Sequence, residues 1–492
     1  MNEHLATLEP RIVWRHFQTL CNTPRPSYKE ADLRKKLIRW AESKALETYV
    51  DPVGNLIIRK GATKGMENCM GVVLQGHLDM VAQKNATSMH DFDKDPIKTQ
   101  VIDGWVHATE TTLGADNGIG VAAALAVLDS QDIEHGPIEA LFTIEEESSL
   151  RGALQLEEGI LKGKILLNLD SEDRGDVYIG CAGGVDVNVK RCFNSVDASE
   201  NQIGLTLKID GLKGGHSGLD IHKGRASANE LLVRLLNALH NQFSVSLTSF
   251  SGGTLRNAIA RDAVATFNAA PHHFDEIESS LKLLYRDIKN EFAQTEPDLG
   301  VKLSAGSAHA SSLALEDQEA LLASLNCAPH GVMKMSSELA GVTETSSNLG
   351  VISLEADGTQ TMVFSACLLT RSMIDSAFEN VANKAKSAFL LCGAEVVFEN
   401  GYPGWKPEPE ARLLKQFLNV HKAAMGYEAN VKVIHAGLEC GIIGAKYPGM
   451  EMVSFGPNIR GAHSPSEKLE ISSVADFWTL LKSLLSLTPV NP

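Results

Sequence analysis

The sequence predicts an α/β protein: a mixed, largely parallel sheet flanked by helices, interrupted by an inserted α+β domain. Three observations carry this. Short apolar runs at 70–76 (MGVVLQG), 138–144 (IEALFTI), 164–169 (KILLNL) and 451–456 (EMVSFG) end in turn or acidic residues, as buried strands do. An Ala-rich helical segment at 119–130 (IGVAAALAVLDS) separates the first two of the strands that follow residue 70. After Gly183-Gly184 the texture changes to alternating runs (GVDVNVKR, IGLTLKID, AVATFNA) and amphipathic helices near 226–242 and 274–293.

Taken in order, residues 10–49 have apolar positions at helical spacing and read as a long helical start. The α/β pattern then runs to about residue 184, and it returns from about 390 to a closing helix at 472–487. The simplest organisation is one α/β domain in two pieces, 1–184 and 390–492, with 185–389 inserted as a second domain of ordinary size.

Composition narrows the function. The 492 residues are 43% hydrophobic and 22% charged, an ordinary globular balance. The formal net charge of -16 argues against a nucleic-acid partner, whose binding needs a basic face. No run approaches the roughly 18 apolar residues of a membrane span. The opening residues, MNEHLATLEPRIVWRHF, lack a basic region followed by an apolar core, so a cytoplasmic protein is expected. The eight cysteines are scattered without a C-x-x-C pair, which predicts free thiols and no thiolate metal site.

Five motifs place metal-type side chains after apolar runs. In Gly76-His77-Leu78-Asp79, histidine and carboxylate are two apart and share a face of an extended chain. Leu113-Gly114-Ala115-Asp116-Asn117-Gly118 puts a carboxylate at a helix start, where a plain turn is the blander reading. Glu145-Glu146-Glu147 follows a strand, so one Glu could bind metal and its neighbour could act as a general base. Asp170 sits at another strand end, among competing acids (Asn168-Leu169-Asp170-Ser171-Glu172-Asp173). Gly461-Ala462-His463-Ser464-Pro465-Ser466-Glu467 supplies a second histidine. Singly, each reads as readily as a turn or a solvated acid. Together they supply imidazoles and carboxylates in an order that a two-metal site could use.

The order G-H-x-D, G-x-D-x-G, acidic-Glu-Glu, a later Asp and G-x-H-S-P-x-E resembles the co-catalytic two-zinc peptidases, and it spans almost the whole chain. The resemblance implies two Zn2+ per chain, with Co2+ or Mn2+ able to substitute. It implies that His77 and Asp170 hold one zinc, that Glu147 and His463 hold the other, and that Asp116 bridges them. Asp79 would orient His77, and Glu146 would be the general base. The family usually reads Asp-Glu-Glu where this chain has Glu145-Glu146-Glu147, and a slip of one position would change both Glu roles.

The inserted domain would be the family's lid. By the same resemblance, His216 (Gly-Gly-His-Ser-Gly) approaches the scissile carbonyl oxygen, and Asn257 and Arg371 contact the substrate's C-terminal carboxylate. Glu439, in Gly437-Leu438-Glu439, is assigned the substrate's free amine as a conjecture of our own. The implied reaction is hydrolysis of dipeptides, among them Xaa-His dipeptides such as β-alanyl-histidine. The alternatives are a related amidohydrolase acting on N-acyl amino acids and a metal-free binding homologue. A homodimer through the lid, or a lid long enough to supply His216 within one chain, are both left open.

Overall fold

The computed structural model describes residues 2–358 and 360–490 and divides into two compact units. The first comprises the chain up to Gly180, Trp405–Val433 and the chain from Leu438 onward. The second comprises Cys181–Gly404 and Ile434–Gly437.

The first unit is built on an eight-stranded sheet. Its order is Glu47–Val50, Leu56–Lys60, Ile138–Thr143, Val72–His77, Ile165–Asn168, Glu451–Ser454, Asp176–Cys181 and Asn430–Ile434. The sheet is mixed. The strands from Ile138–Thr143 to Glu451–Ser454 run parallel, while Leu56–Lys60 and Asp176–Cys181 pair antiparallel at their flanks. Every residue of Val72–His77, Ile138–Thr143 and Ile165–Asn168 is buried, which is why these strands read as continuous apolar runs rather than alternating ones.

Against this sheet packs the helix Ala115–Asp129, buried along almost its whole length. Its small residues permit the close approach. A Cβ on Gly120 would lie 2.3 Å from the Leu169 carbonyl oxygen, just before Asp170. On the helix's other flank lies Arg11–Cys21.

The long helical start expected over 10–49 is instead two helices, Arg11–Cys21 and Ala31–Ser43, followed by the strand Glu47–Val50. The break at 22–30 contains Pro24 and Pro26, which have no amide hydrogen for a helical ladder.

The second unit carries a ten-stranded sheet whose pairings, among the described residues, are antiparallel. Helices Ala228–Phe243, Phe274–Glu291, Leu315–Cys327 and Asp375–Leu390 accompany it, and residues such as Leu207, Leu232, Phe267, Phe364 and Phe389 form its own core. The strand Glu395–Tyr402 pairs with Gly183–Asp197, so this unit continues past residue 389, where the sequence pattern suggested a boundary. Among the described residues no helix is long and apolar enough to cross a membrane, and the cysteines form no disulfide.

Replacing Gly120 with Ala should force the helix off the Leu169 carbonyl. We expect a loss of about 1–3 kcal/mol in urea unfolding, the usual range for overpacking. An unchanged midpoint would show that the contact relaxes freely.

Candidate metal centre

The three adjacent parallel strands end side by side, and each delivers acids or a histidine at its carboxyl end. His77 closes Val72–His77, with Asp79 just beyond. Glu146 and Glu147 follow Ile138–Thr143, and Asp170 follows Ile165–Asn168. Asp116 enters from the start of the Ala115–Asp129 segment, where its own backbone (φ -79°, ψ 115°) is not helical. His463 comes from the turn between Ile459–Arg460 and Lys468–Glu470 and holds a left-handed backbone, φ 63°.

Their side chains converge. His77 Nε2 lies 3.1 Å from Asp116 Oδ1, 3.5 Å from Asp170 Oδ1 and 3.9 Å from Glu146 Oε2. His463 Nε2 lies 3.2 Å from Asp116 Oδ2 and 2.9 Å from Glu147 Oε2. Asp116 thus turns one oxygen to each imidazole. Three sets of potential ligands each fall within 4.8 Å of one another: His77, Asp116 and Asp170; His77, Glu146 and Glu147; Asp116, Glu147 and His463.

Asp79 is fully buried. It faces His77 Nδ1 at 3.3 Å and accepts the amides of Glu146 (3.0 Å) and Glu147 (3.2 Å) and the hydroxyl of Ser27 (2.7 Å). Glu145 points elsewhere: its carboxylate pairs with Arg151 at 2.6 Å, and its amide donates to Glu30. Glu439 is 1% exposed. Its Oε2 accepts from Gln75 (2.5 Å) and Thr143 (2.7 Å), and its Oε1 has no partner.

The electrostatics register an excess of negative charge. Burial would lower the pKa of His77, but Asp170, Asp116 and Asp79 outweigh it and raise it well above the ordinary histidine value. Hydrogen bonds to Asp116 and Glu147 lift His463 to about 11. Burial pushes Glu146 well up, against the pull of His77, with Asp170, Glu147 and Glu439 adding to the rise. Burial raises Glu439 to about 7, although His77 and its hydrogen bonds oppose this. Buried carboxylate oxygens Glu147 Oε1 and Asp170 Oδ1 have no hydrogen-bond partner. A buried anion needs a counter-charge. Nitrogen and oxygen donors at this density, with no thiolate among them, suit divalent cations of the zinc, cobalt and manganese kind.

In the second unit, His216 and Asn257 meet across a short ladder in which Gly215 and His216 pair with Ile259 and Ala258. The Asn257 carbonyl accepts the Ser217 amide at 2.8 Å, while the Asn257 side chain is exposed. His216 Nδ1 accepts the amides of Gly218 (3.1 Å) and Leu219 (3.0 Å), which leaves its proton on Nε2. Burial, with Arg371 adding, lowers its pKa, so the ring is neutral. Arg371 is 5% exposed and donates to the Tyr402 hydroxyl at 2.7 Å, and its Nε has no partner. Burial, with the Arg371 charge adding, holds the His435 imidazole uncharged, at about 3.

Several residues of these sites escaped the sequence reading. Gln75 left a signal, since it is a polar residue in an apolar strand and shares a face with His77. Ser27 and Tyr402 left none, because distant segments bring them in. Glu172 is pushed to about 7 by burial and by Asp116, against His463.

Imidazoles and carboxylates gathered at the carboxyl ends of parallel strands define the class, an α/β protein with a candidate metal centre. Residues 73–487 match the model of Peptidase family M20/M25/M40, and the chain belongs to that family. It is 43% identical over 489 residues to the cytosol non-specific dipeptidase of Escherichia coli K12, covering 99% of each chain. The solved structure of aminoacylhistidine dipeptidase from Vibrio alginolyticus superposes with a TM-score of 0.93 at 43% identity, covering 100% of both chains. Aminopeptidase PepT from Bacillus cereus shares the fold at 17% identity, with a TM-score of 0.56 over 97% of this chain and 98% of that one.

Chelator-stripped protein titrated with zinc should distinguish the ligands. Asp116→Ala, which removes the carboxylate facing both imidazoles, should weaken uptake of both ions, whereas His463→Ala should spare one. Metal analysis after gel filtration reads the stoichiometry. Equal losses in the two variants would refute the bridging geometry.

Proposed function

We propose that this chain is a metallo-dipeptidase that hydrolyses the peptide bond of dipeptides, Xaa-His dipeptides such as β-alanyl-histidine among them. The observation that carries the reading is the convergence of His77, Asp116, Glu147, Asp170 and His463 in a chain so similar, end to end, to named dipeptidases. The choice of Xaa-His rests on the name of the Vibrio relative. A cytoplasmic setting agrees with the name of the E. coli relative.

His77 and Asp170 would hold one zinc and Glu147 and His463 the other, with Asp116 shared between them. When bound, such ions supply Lewis acidity and lower the pKa of water toward neutrality. Asp79 keeps the His77 ring oriented through Nδ1, which leaves Nε2 as the ligand atom. Glu146, whose carboxylate faces His77, takes a proton from the attacking water and hands it to the departing amide nitrogen.

The neutral His216 has an Nε2–H to donate to the oxyanion that forms as the carbonyl is attacked. Arg371 offers a guanidinium without a carboxylate partner, and its fork matches both oxygens of a C-terminal carboxylate, with Asn257 as a second donor. Glu439, with a buried unpartnered oxygen, would receive the free amine.

A hydrolysis panel after chelation and zinc add-back tests the activity. Xaa-His and other dipeptides should be cut, and N-acetyl and N-succinyl amino acids should not. The reverse preference would make the chain an amidohydrolase. Glu146→Gln should retain metal while turnover falls about 10²- to 10⁴-fold, the span of general acid–base catalysis. Arg371→Ala should raise KM for dipeptides by about tenfold or more, as loss of a charged hydrogen bond implies; unchanged kinetics would remove it from the substrate site.

A further inference from the structure

Beneath the ligands lie two buried charges that the reaction does not use. Arg25, 2% exposed, comes from the loop between the first two helices. Its Nη1 donates to the carbonyls of Leu78 (2.9 Å) and Asp79 (2.7 Å), and its Nη2 donates to the carbonyl of Gly114. Glu467, also 2% exposed, closes the turn that carries His463. Its Oε2 accepts the amides of Leu113 (2.6 Å) and Gly114 (2.9 Å), and its Oε1 accepts those of Ala115 (2.7 Å) and Asp116 (3.2 Å).

The loop that delivers Asp116 is therefore gripped from both sides. An arginine takes a carbonyl and a carboxylate takes consecutive amides. The two grips reach different neighbours. Arg25 joins this loop to the Leu78–Asp79 backbone and so sets the separation of His77 and Asp116. Glu467 joins it to the His463 turn and so sets the separation of Asp116 and His463. Gly114 and Gly118 make room, since a Cβ at either would lie 2.6 Å from Arg25 Nη2.

We propose that Arg25 and Glu467 are positioning residues that each fix one half of the two-metal site, Arg25 the half around His77 and Glu467 the half around His463. This rests on the metal reading given above. Neither residue is a ligand, and each acts through the backbone that carries one. A glutamine at 467 would turn an amide donor toward amide donors that need an acceptor. A lysine at 25 would lose the planar fork that reaches carbonyls on separate segments.

The test is zinc titration of chelator-stripped wild type, Glu467→Gln and Arg25→Lys, with hydrogen exchange of the 113–116 amides read on the stripped proteins. Wild type should take two ions. Each variant should keep one near its original affinity and bind the other about 10- to 100-fold more weakly, as loss of outer-shell partners does. In Glu467→Gln the 113–116 amides should lose protection before any metal is added. If wild type takes up no zinc, the metal reading itself fails. If wild type binds two ions and both variants match it with the amides still protected, this inference alone fails. If both ions weaken equally in each variant, the division into halves is overturned. Should Glu467→Gln fail to fold, Arg25→Lys carries the same comparison for the other half.

Discussion

Carboxylates are crowded at the carboxyl ends of adjacent inner strands, most of them buried, with the imidazoles of His77 and His463 facing them directly and the Arg25 guanidinium beneath. Like charges out of water repel strongly and lose their hydration. The way the first unit answers this can be followed atom by atom. Asp79 is answered by the amides of Glu146 and Glu147 and by Ser27, and Glu467 by four successive amides. One oxygen of Glu439 is answered by Gln75 and Thr143. The oxygens left without hydrogen bonds include Glu147 Oε1 and Asp170 Oδ1, on carboxylates that face the imidazoles. The unmet demand for positive charge is thus localised where the ligand sets converge, and that is a stronger argument for metal than residue type alone.

The same constraint explains what could be read from the sequence. The central strands were legible because burial on both faces demands unbroken apolar runs, and MGVVLQG, IEALFTI and KILLNL are such runs. The acids after them were legible because a charged residue directly behind a buried strand needs a reason. The glutamates illustrate the limit. Sequence leaves three equivalent carboxyls in a row. In the fold Glu145 takes a left-handed backbone and pairs with Arg151, while Glu146 and Glu147 turn toward His77 and His463. That choice depends on Arg151 and on the Glu30 contact to the Glu145 amide, neither of which a linear pattern encodes.

What stayed hidden was mostly long-range. Arg25 grips backbone 53, 54 and 89 positions away, and Glu467 grips backbone more than 350 positions away. An arginine between prolines in a loop has no periodicity to betray it. The extent of the second unit was hidden for a similar reason. Glu395–Tyr402 alternates too weakly to declare a partner, and only its pairing with Gly183–Asp197 assigns it to that unit.

The G-x-D-x-G motif at 114–118 shows how the two kinds of information combine. From sequence, Asp116 is a ligand candidate and the glycines are turn residues. Gly114 does need its positive φ of 68°. Gly118 has no such requirement, so turn geometry cannot account for it. Its Cα instead lies against the Arg25 guanidinium, where a side chain would collide with Nη2. The spacing of the motif is therefore set by two demands at once. One is a carboxylate presented to both imidazoles. The other is clearance for the buried cation that holds the carboxylate's loop in place. An alanine at Gly118 would leave every candidate ligand intact, yet it would displace the group that spaces His77 from Asp116. The motif is better understood as the imprint of Arg25 on the Asp116 loop than as a turn that happens to carry an acid.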